Sequence, residues 1–205
     1  DTIVLYNYFL DDKSLSEHIY NKKINVILSK IIEKDYGLTS ASARNKTNFS
    51  INDKKFRNQT ASGNRWHTDN RYVGGRGVYP SLSYFIITAI DNITRENGCT
   101  LYLPNSHKKF KRISKNTKSK SYNFLEAEQG SLIILDTNLV HKAGIPTKFS
   151  RWAIFNMYSP WYVKPYYEYY NIKNIPKFTK VIKKILHYYY IPPKDYNKIR
   201  NTIKS

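Results

Sequence analysis

Five histidines punctuate the chain: His18, His67, His107, His141 and His187. Two of them stand where a metal could use them. His67 and Asp69 lie two residues apart in Trp66-His67-Thr68-Asp69. In an extended segment, side chains two apart point to the same face, so this imidazole and this carboxylate can reach one ion. A third ligand must come from elsewhere. His141 follows the apolar run Ser131-Leu-Ile-Ile-Leu-Asp136, whose strand end could present it across a sheet. Two neutral imidazoles and a carboxylate on one face leave open coordination positions, the donor set of non-haem iron(II) oxygenases. Those positions suit a bidentate 2-oxo acid and oxygen. The far carboxylate of such an acid needs a cation, and the planar fork of Arg fits it best. Arg151 lies ten residues after His141 (151 − 141 = 10) at the head of another strand-like run. A turn between antiparallel strands would bring it back beside the metal. Taken singly, His67 could be an ordinary core or surface histidine and Asp69 a turn cap. Together with the distal His and Arg they make a far more specific pattern.

Elements must hold these residues in place. Residues 3–10 are rich in β-formers and predict a strand. Ser14-Leu-Ser-Glu17 has the form of a capping box. Apolar residues at Leu15, Ile19, Ile24, Ile27, Leu28, Ile31 and Ile32 then follow a helical period, with Gly37 as the expected stop. From Asn45 to Pro80 the chain is polar and turn-rich, and Gly74-Gly75-Arg76-Gly77 lacks the Lys-Ser/Thr of a phosphate loop. Residues 82–90 form the clearest buried strand, and 100–103, 131–136 and 151–160 predict three more. A tail with Phe178, Val181, Ile182 and Ile185 at helical spacing closes the pattern. Many short strands with few helices favour an antiparallel sandwich over βαβ alternation.

Length and composition bound the rest. A chain of 205 residues suits one domain spanning 1–205, with a core over about 45–165 and a helical tail over about 166–205. The apolar fraction of 40% excludes a disordered chain. The start at Asp1 is taken as trimmed or processed; no signal peptide and no membrane span is expected. The lone Cys99 fits a buried residue in a reducing, cytoplasmic setting. A net charge of +19 could serve nucleic acid or an anionic substrate. The basic residues are scattered, however, and Lys, Asn, Ile and Tyr are all abundant, as AT-rich coding alone would produce. The basic run 107–122 fits a solvated surface better than a binding patch.

The chain resembles the phytanoyl-CoA dioxygenase family. Three blocks carry the likeness: Trp66-His67-Thr68-Asp69; residues 91–110, with Asn97-Gly98 and Pro104-Asn105-Ser106-His107; and residues 130–158, from Gly130 through His141 and Arg151. The resemblance spans roughly residues 45–165. It implies a mainly β fold, a double-stranded β-helix or jelly roll with supporting helices. It implies His67, Asp69 and His141 as iron(II) ligands and Arg151 as the 2-oxoglutarate clamp. Asn97, Gly98 and Pro104 would shape turns, and His107 would be structural or on the pocket rim. The family usually has Gly where Asn105 stands. Ile87, Ala143 and Ala153 depart from residues that some relatives place near the co-substrate or metal. The segment before the first block looks short for the family. Related halogenases replace the carboxylate, so Asp69 implies hydroxylation, with oxygen consumed and succinate and carbon dioxide released.

The implied substrate is a small molecule, anionic ones included. Trp66, Arg71, Tyr72 and Tyr84 are candidates to line its pocket, each with a packing role as the alternative. Other readings stay open: a nucleic-acid or nucleotide-directed oxygenase on the same site, a non-catalytic jelly-roll binding protein, or a zinc hydrolase that would leave Arg151 without a role. The oligomeric state is not legible.

Overall fold

A computed structural model describes residues 2–32, 35–47, 65–70, 81–108, 121–172 and 176–190. Eight strands occur among them: β1 (Thr2–Tyr6), β2 (Tyr36–Lys46), β3 (Tyr84–Ala89), β4 (Thr100–Tyr102), β5 (Asn123–Leu125), β6 (Leu132–Asp136), β7 (His141–Lys142) and β8 (Arg151–Pro160). Two α-helices accompany them, α1 (Lys22–Ile31) and α2 (Lys180–Ile185). The strands form two antiparallel sheets, ordered β1-β2-β8-β3-β6 and β5-β4-β7. This is the mainly β sandwich expected from the sequence. No described helix is long and apolar enough to cross a membrane.

Alternation along the large sheet sorts residues to two sides. Leu38, Ile86, Ile154 and Tyr158 face the helices and join Phe9, Ile24, Leu28, Tyr169 and Ile182 in one core. Phe85, Ile87, Leu135, Ala153 and Met157 face the small sheet and pack with Phe124 and Leu125 of β5 in another. Two polar side chains of β8 on the helix side are satisfied. Tyr158 Oη donates to Ile19 O at 2.7 Å, and Asn156 Nδ2 to His18 O at 2.8 Å.

Several local expectations shift. The first strand ends at Tyr6, because Asn7 adopts a left-handed φ of 54° and turns Tyr8 and Phe9 into the core. Residues 13–18 form a 3-10 helix capped by Asp12. The α-helix starts later, where the Asn21 side chain accepts from Ile24 N at 3.0 Å. Gly37 does not stop a helix. It lies in β2 against the His187 ring, where a Cβ would fall 2.0 Å from Nε2. Asn45 and Lys46, expected in a turn-rich stretch, complete β2, a strand paired on both sides. Its Ser, Ala, Arg and Asn content hides it from a propensity reading, and pairing with β1 and β8 overrides that preference. The glycine loop 74–77 and most of the basic run 107–122 lie outside the described residues.

Candidate metal centre and co-substrate pocket

The first two metal candidates sit on an extended piece laid beside β7. His67 N donates to His141 O and His141 N to His67 O, both at 2.9 Å, and Asp69 N donates to Thr137 O at 3.0 Å. This pairing holds residues 67–69 extended, so His67 and Asp69 share a face. It also sets His141 directly opposite His67. The two imidazole centroids lie 4.4 Å apart.

The ring nitrogens are sorted by the backbone. His67 Nδ1 lies 2.8 Å from Arg65 O, and His141 Nδ1 lies 2.8 Å from Leu139 O. A carbonyl oxygen only accepts, so each Nδ1 carries the proton and each Nε2 presents a lone pair. Both Nε2 atoms turn to the same carboxylate. His67 Nε2 is 3.8 Å from Asp69 Oδ1, and His141 Nε2 is 3.3 Å from Asp69 Oδ2. Burial holds the His141 imidazole below its ordinary range, with the Asp69 charge pulling the other way. A neutral imidazole is the ligand form.

Asp69 Oδ2 is buried and has no hydrogen-bond partner. An orphaned buried carboxylate oxygen is costly unless a cation meets it. One ligand atom from each of the three residues can be chosen so that all lie within 4.8 Å of one another. Donor chemistry, spacing and the orphaned oxygen all fit a bound metal ion.

The same cavity, about 130 Å³, is lined by Arg151, Lys46, Gly98, Ile87 and Ala143 as well as the cluster. Arg151 opens β8, 5% exposed; its Nη2 donates to Gly98 O at 3.1 Å, and its Nε is buried without a partner. Lys46 is its register partner on β2 and is also buried. Burial and the neighbouring Arg151 charge both push the Lys46 ammonium down. Two buried cations side by side, neither in an ion pair among the described residues, form an electrostatic hole that an anion would fill. Lys46 went unnoticed in the sequence because β2 did. The i, i+2 pattern of Ser42, Arg44 and Lys46 was the available signal.

The second block supports this pocket from below. Asn97 Oδ1 accepts from Thr94 N at 2.8 Å, and its Nδ2 donates to Asn92 O at 2.7 Å. Gly98 has φ +79° and presents its carbonyl to Arg151. At Gly144, an added Cβ would lie 2.1 Å from Cys99 O, so glycine lets the chain after β7 approach the start of β4. Asn105 takes the left-handed φ of 59° that Gly would adopt freely. His107 lies in a 3-10 turn with its Nδ1 buried and unpaired, outside the three-residue cluster.

The pocket candidates fare differently. Trp66 points away from the cluster, with Lys142 Nζ 5.0 Å from its ring centroid and Tyr122 at 6.0 Å. Tyr84 packs against the helix-side core. Neither lines the cavities beside the cluster, because each has the wrong strand parity: 66 alternates with 67 and 69, and 84 with 85 and 87. Arg71 and Tyr72 lie outside the described residues.

An antiparallel jelly-roll sandwich with two His and one Asp opening between its sheets defines the cupin-like non-haem metal-oxygenase class. The model of the phytanoyl-CoA dioxygenase (PhyH) family matches residues 3–152, and the chain belongs to that family. The match extends N-terminal to the segment that carried the resemblance, taking in most of β1, α1 and β2. No curated protein matches the chain in sequence. Solved structures share the fold. HygX from Streptomyces hygroscopicus, with nickel, 2-oxoglutarate and hygromycin B bound, superposes with a TM-score of 0.64 at 12% identity, covering 81% of this chain and 72% of that one. AviO1 from Streptomyces viridochromogenes Tue57 gives 0.55 at 16% identity, covering 79% and 68%. EvdMO1 gives 0.56 at 18% identity over 76% of this chain, which spans only 35% of its length.

Proposed function

We propose that this protein is an iron(II)- and 2-oxoglutarate-dependent dioxygenase that hydroxylates a small molecule. The observation that carries this is one cavity lined at once by the His67-Asp69-His141 cluster and by the Arg151–Lys46 cation pair. His67 Nε2, His141 Nε2 and an Asp69 oxygen would hold iron(II). Arg151, with Lys46 beside it, would hold the distal carboxylate of 2-oxoglutarate. When bound, iron supplies the oxygen activation and C–H oxidation that no side chain can perform.

The protein's own part is positional. Backbone carbonyls of Arg65 and Leu139 keep both Nε2 lone pairs aimed inward. Ile87 and Ala143 give the cavity apolar wall that limits water. Asp69 provides a third protein ligand, which favours hydroxylation over halide transfer. HygX, a fold neighbour, has been solved with nickel, 2-oxoglutarate and a small molecule, hygromycin B, bound. That supports a small-molecule substrate here. The buried lone Cys99 suits a cytoplasmic setting.

Release of labelled carbon dioxide from 1-14C-2-oxoglutarate, with iron(II) and oxygen present, tests the proposal. The parent protein should show slow uncoupled release, and His141→Ala should lower it at least about 100-fold. Equal release from both proteins would sink the assignment.

A further inference from the structure

The cluster side of the large sheet carries a third cation that the proposed co-substrate site does not use. Arg44 stands one inward position along β2 from Lys46, opposite Ala153 in register. A small neighbour there leaves room over the strand. The guanidinium carbon lies 4.5 Å from the centroid of the Phe155 ring, and Nε donates to Ser42 Oγ at 2.9 Å. These two contacts fix the plane of the guanidinium. Its terminal nitrogens make no hydrogen bond or ion pair among the described residues. The nearby Asp69 carboxylate turns its oxygens to the two imidazoles instead.

Arg44 and Asp69 line two cavities. One holds Arg151 and Lys46. The other, about 310 Å³, includes neither of them and is bounded by Tyr6, Ser42, Met157, Tyr166 and Tyr167. Tyr6 and Tyr166 are well exposed, so this cavity has an aromatic mouth with a cation deeper inside. The charge balance also matters. A divalent ion and a dianionic co-substrate offset each other, and Asp69 offsets one of the three cations. Counted over the described residues, the site keeps a positive excess that a neutral substrate would leave uncompensated.

We propose that this second cavity is the primary-substrate site, and that Arg44 clamps a carboxylate or phosphate on the substrate while Tyr6, Tyr166 and Tyr167 flank its body. The proposal rests on the oxygenase reading, since the cavity gains its meaning from reaching Asp69 at the reacting centre. A planar, pre-oriented guanidinium whose terminal nitrogens are unpaired among the described residues is suited to bidentate capture of either anion. The tyrosine rings offer rigid apolar area with hydroxyl edges.

Anaerobic calorimetry tests this on protein loaded with iron(II) and 2-oxoglutarate. The probes are 4-hydroxyphenylacetate, phenyl phosphate and the neutral 4-hydroxyphenylacetamide. At least one anion should bind tenfold or more tighter than the amide, and the better anion identifies the group. Arg44→Gln should erase that preference, and Arg44→Lys should keep part of it. The visible band of the iron–2-oxoglutarate chelate, recorded on the same samples, shows whether the cluster is assembled. Anions that bind no better than the amide, or not at all, overturn the proposal. So does an unchanged preference in Arg44→Gln. Loss of the band in Arg44→Gln also overturns it, because Arg44 would then serve the cluster and not a ligand. A parent protein with no band counts against the oxygenase reading, while the calorimetry still reports on Arg44.

Discussion

The two sides of the five-stranded sheet are built from alternate residues of the same strands, yet they do opposite things. The helix side is filled: Leu28, Leu38, Ile86 and Tyr158 are fully buried, and the Tyr158 hydroxyl there is hydrogen-bonded. The cluster side packs a smaller core around Phe85, Ile87 and Met157 yet leaves cavities, where Arg44, Lys46, Arg151 and an orphaned Asp69 oxygen collect. Close packing on one side stabilises the strands well enough for the other to hold costly buried charge in place. The lesson is a division of labour at single-residue resolution: both parities pack cores, but only one also holds the candidate site.

Neighbouring isoleucines on β3 test that division most sharply. Ile86→Ala should cost about 2–5 kcal/mol in denaturant unfolding, because it empties a helix-side site, with little change in 2-oxoglutarate affinity while folded. Ile87→Ala empties a buried site too and should also lose stability, but it lines the cluster cavity and should in addition weaken 2-oxoglutarate binding by widening it. If both variants lost stability and affinity in equal measure, the two sides would not be separable. Arg151→Ala comes next. It should weaken 2-oxoglutarate by about 1.5–3 kcal/mol, as for a lost charged hydrogen bond, with iron binding retained. An unchanged affinity would assign the anion to Lys46 or Arg44.

The smallest effect is a pH dependence at His187, whose ring packs on Gly37 of β2. Burial pushes the His187 imidazole below its ordinary 6.5. The unfolded chain therefore binds this proton more readily than the folded one. The contribution is fully present above about pH 6.5 and is lost as pH falls toward the depressed folded value. His187→Asn, which tolerates the left-handed φ of 64°, should flatten the stability profile below pH 6.5. An identical profile in the variant would assign the acid sensitivity elsewhere.

What the sequence disclosed follows the same line. β8 was legible to its ends, because Arg151–Pro160 combines β-formers with a clear start. The cluster was legible because residue identity and spacing are discrete chemical facts. β2 was not, since a central strand of small and polar residues is stabilised by its two neighbours and not by its own propensity. With β2 went Arg44 and Lys46, two of the three cations that the described residues bring to the site. Trp66 and Tyr84 were misplaced for a simpler reason. Aromatic character suggested a pocket, whereas strand parity, already used to pair His67 with Asp69, sends both side chains elsewhere.

The most direct test of the central claim is anaerobic addition of iron(II) and then 2-oxoglutarate, followed by visible absorption. The account predicts a weak chelate band in the parent protein and its loss in a folded His67→Ala variant. A folded parent protein without the band, or a band of equal strength in His67→Ala, would contradict it.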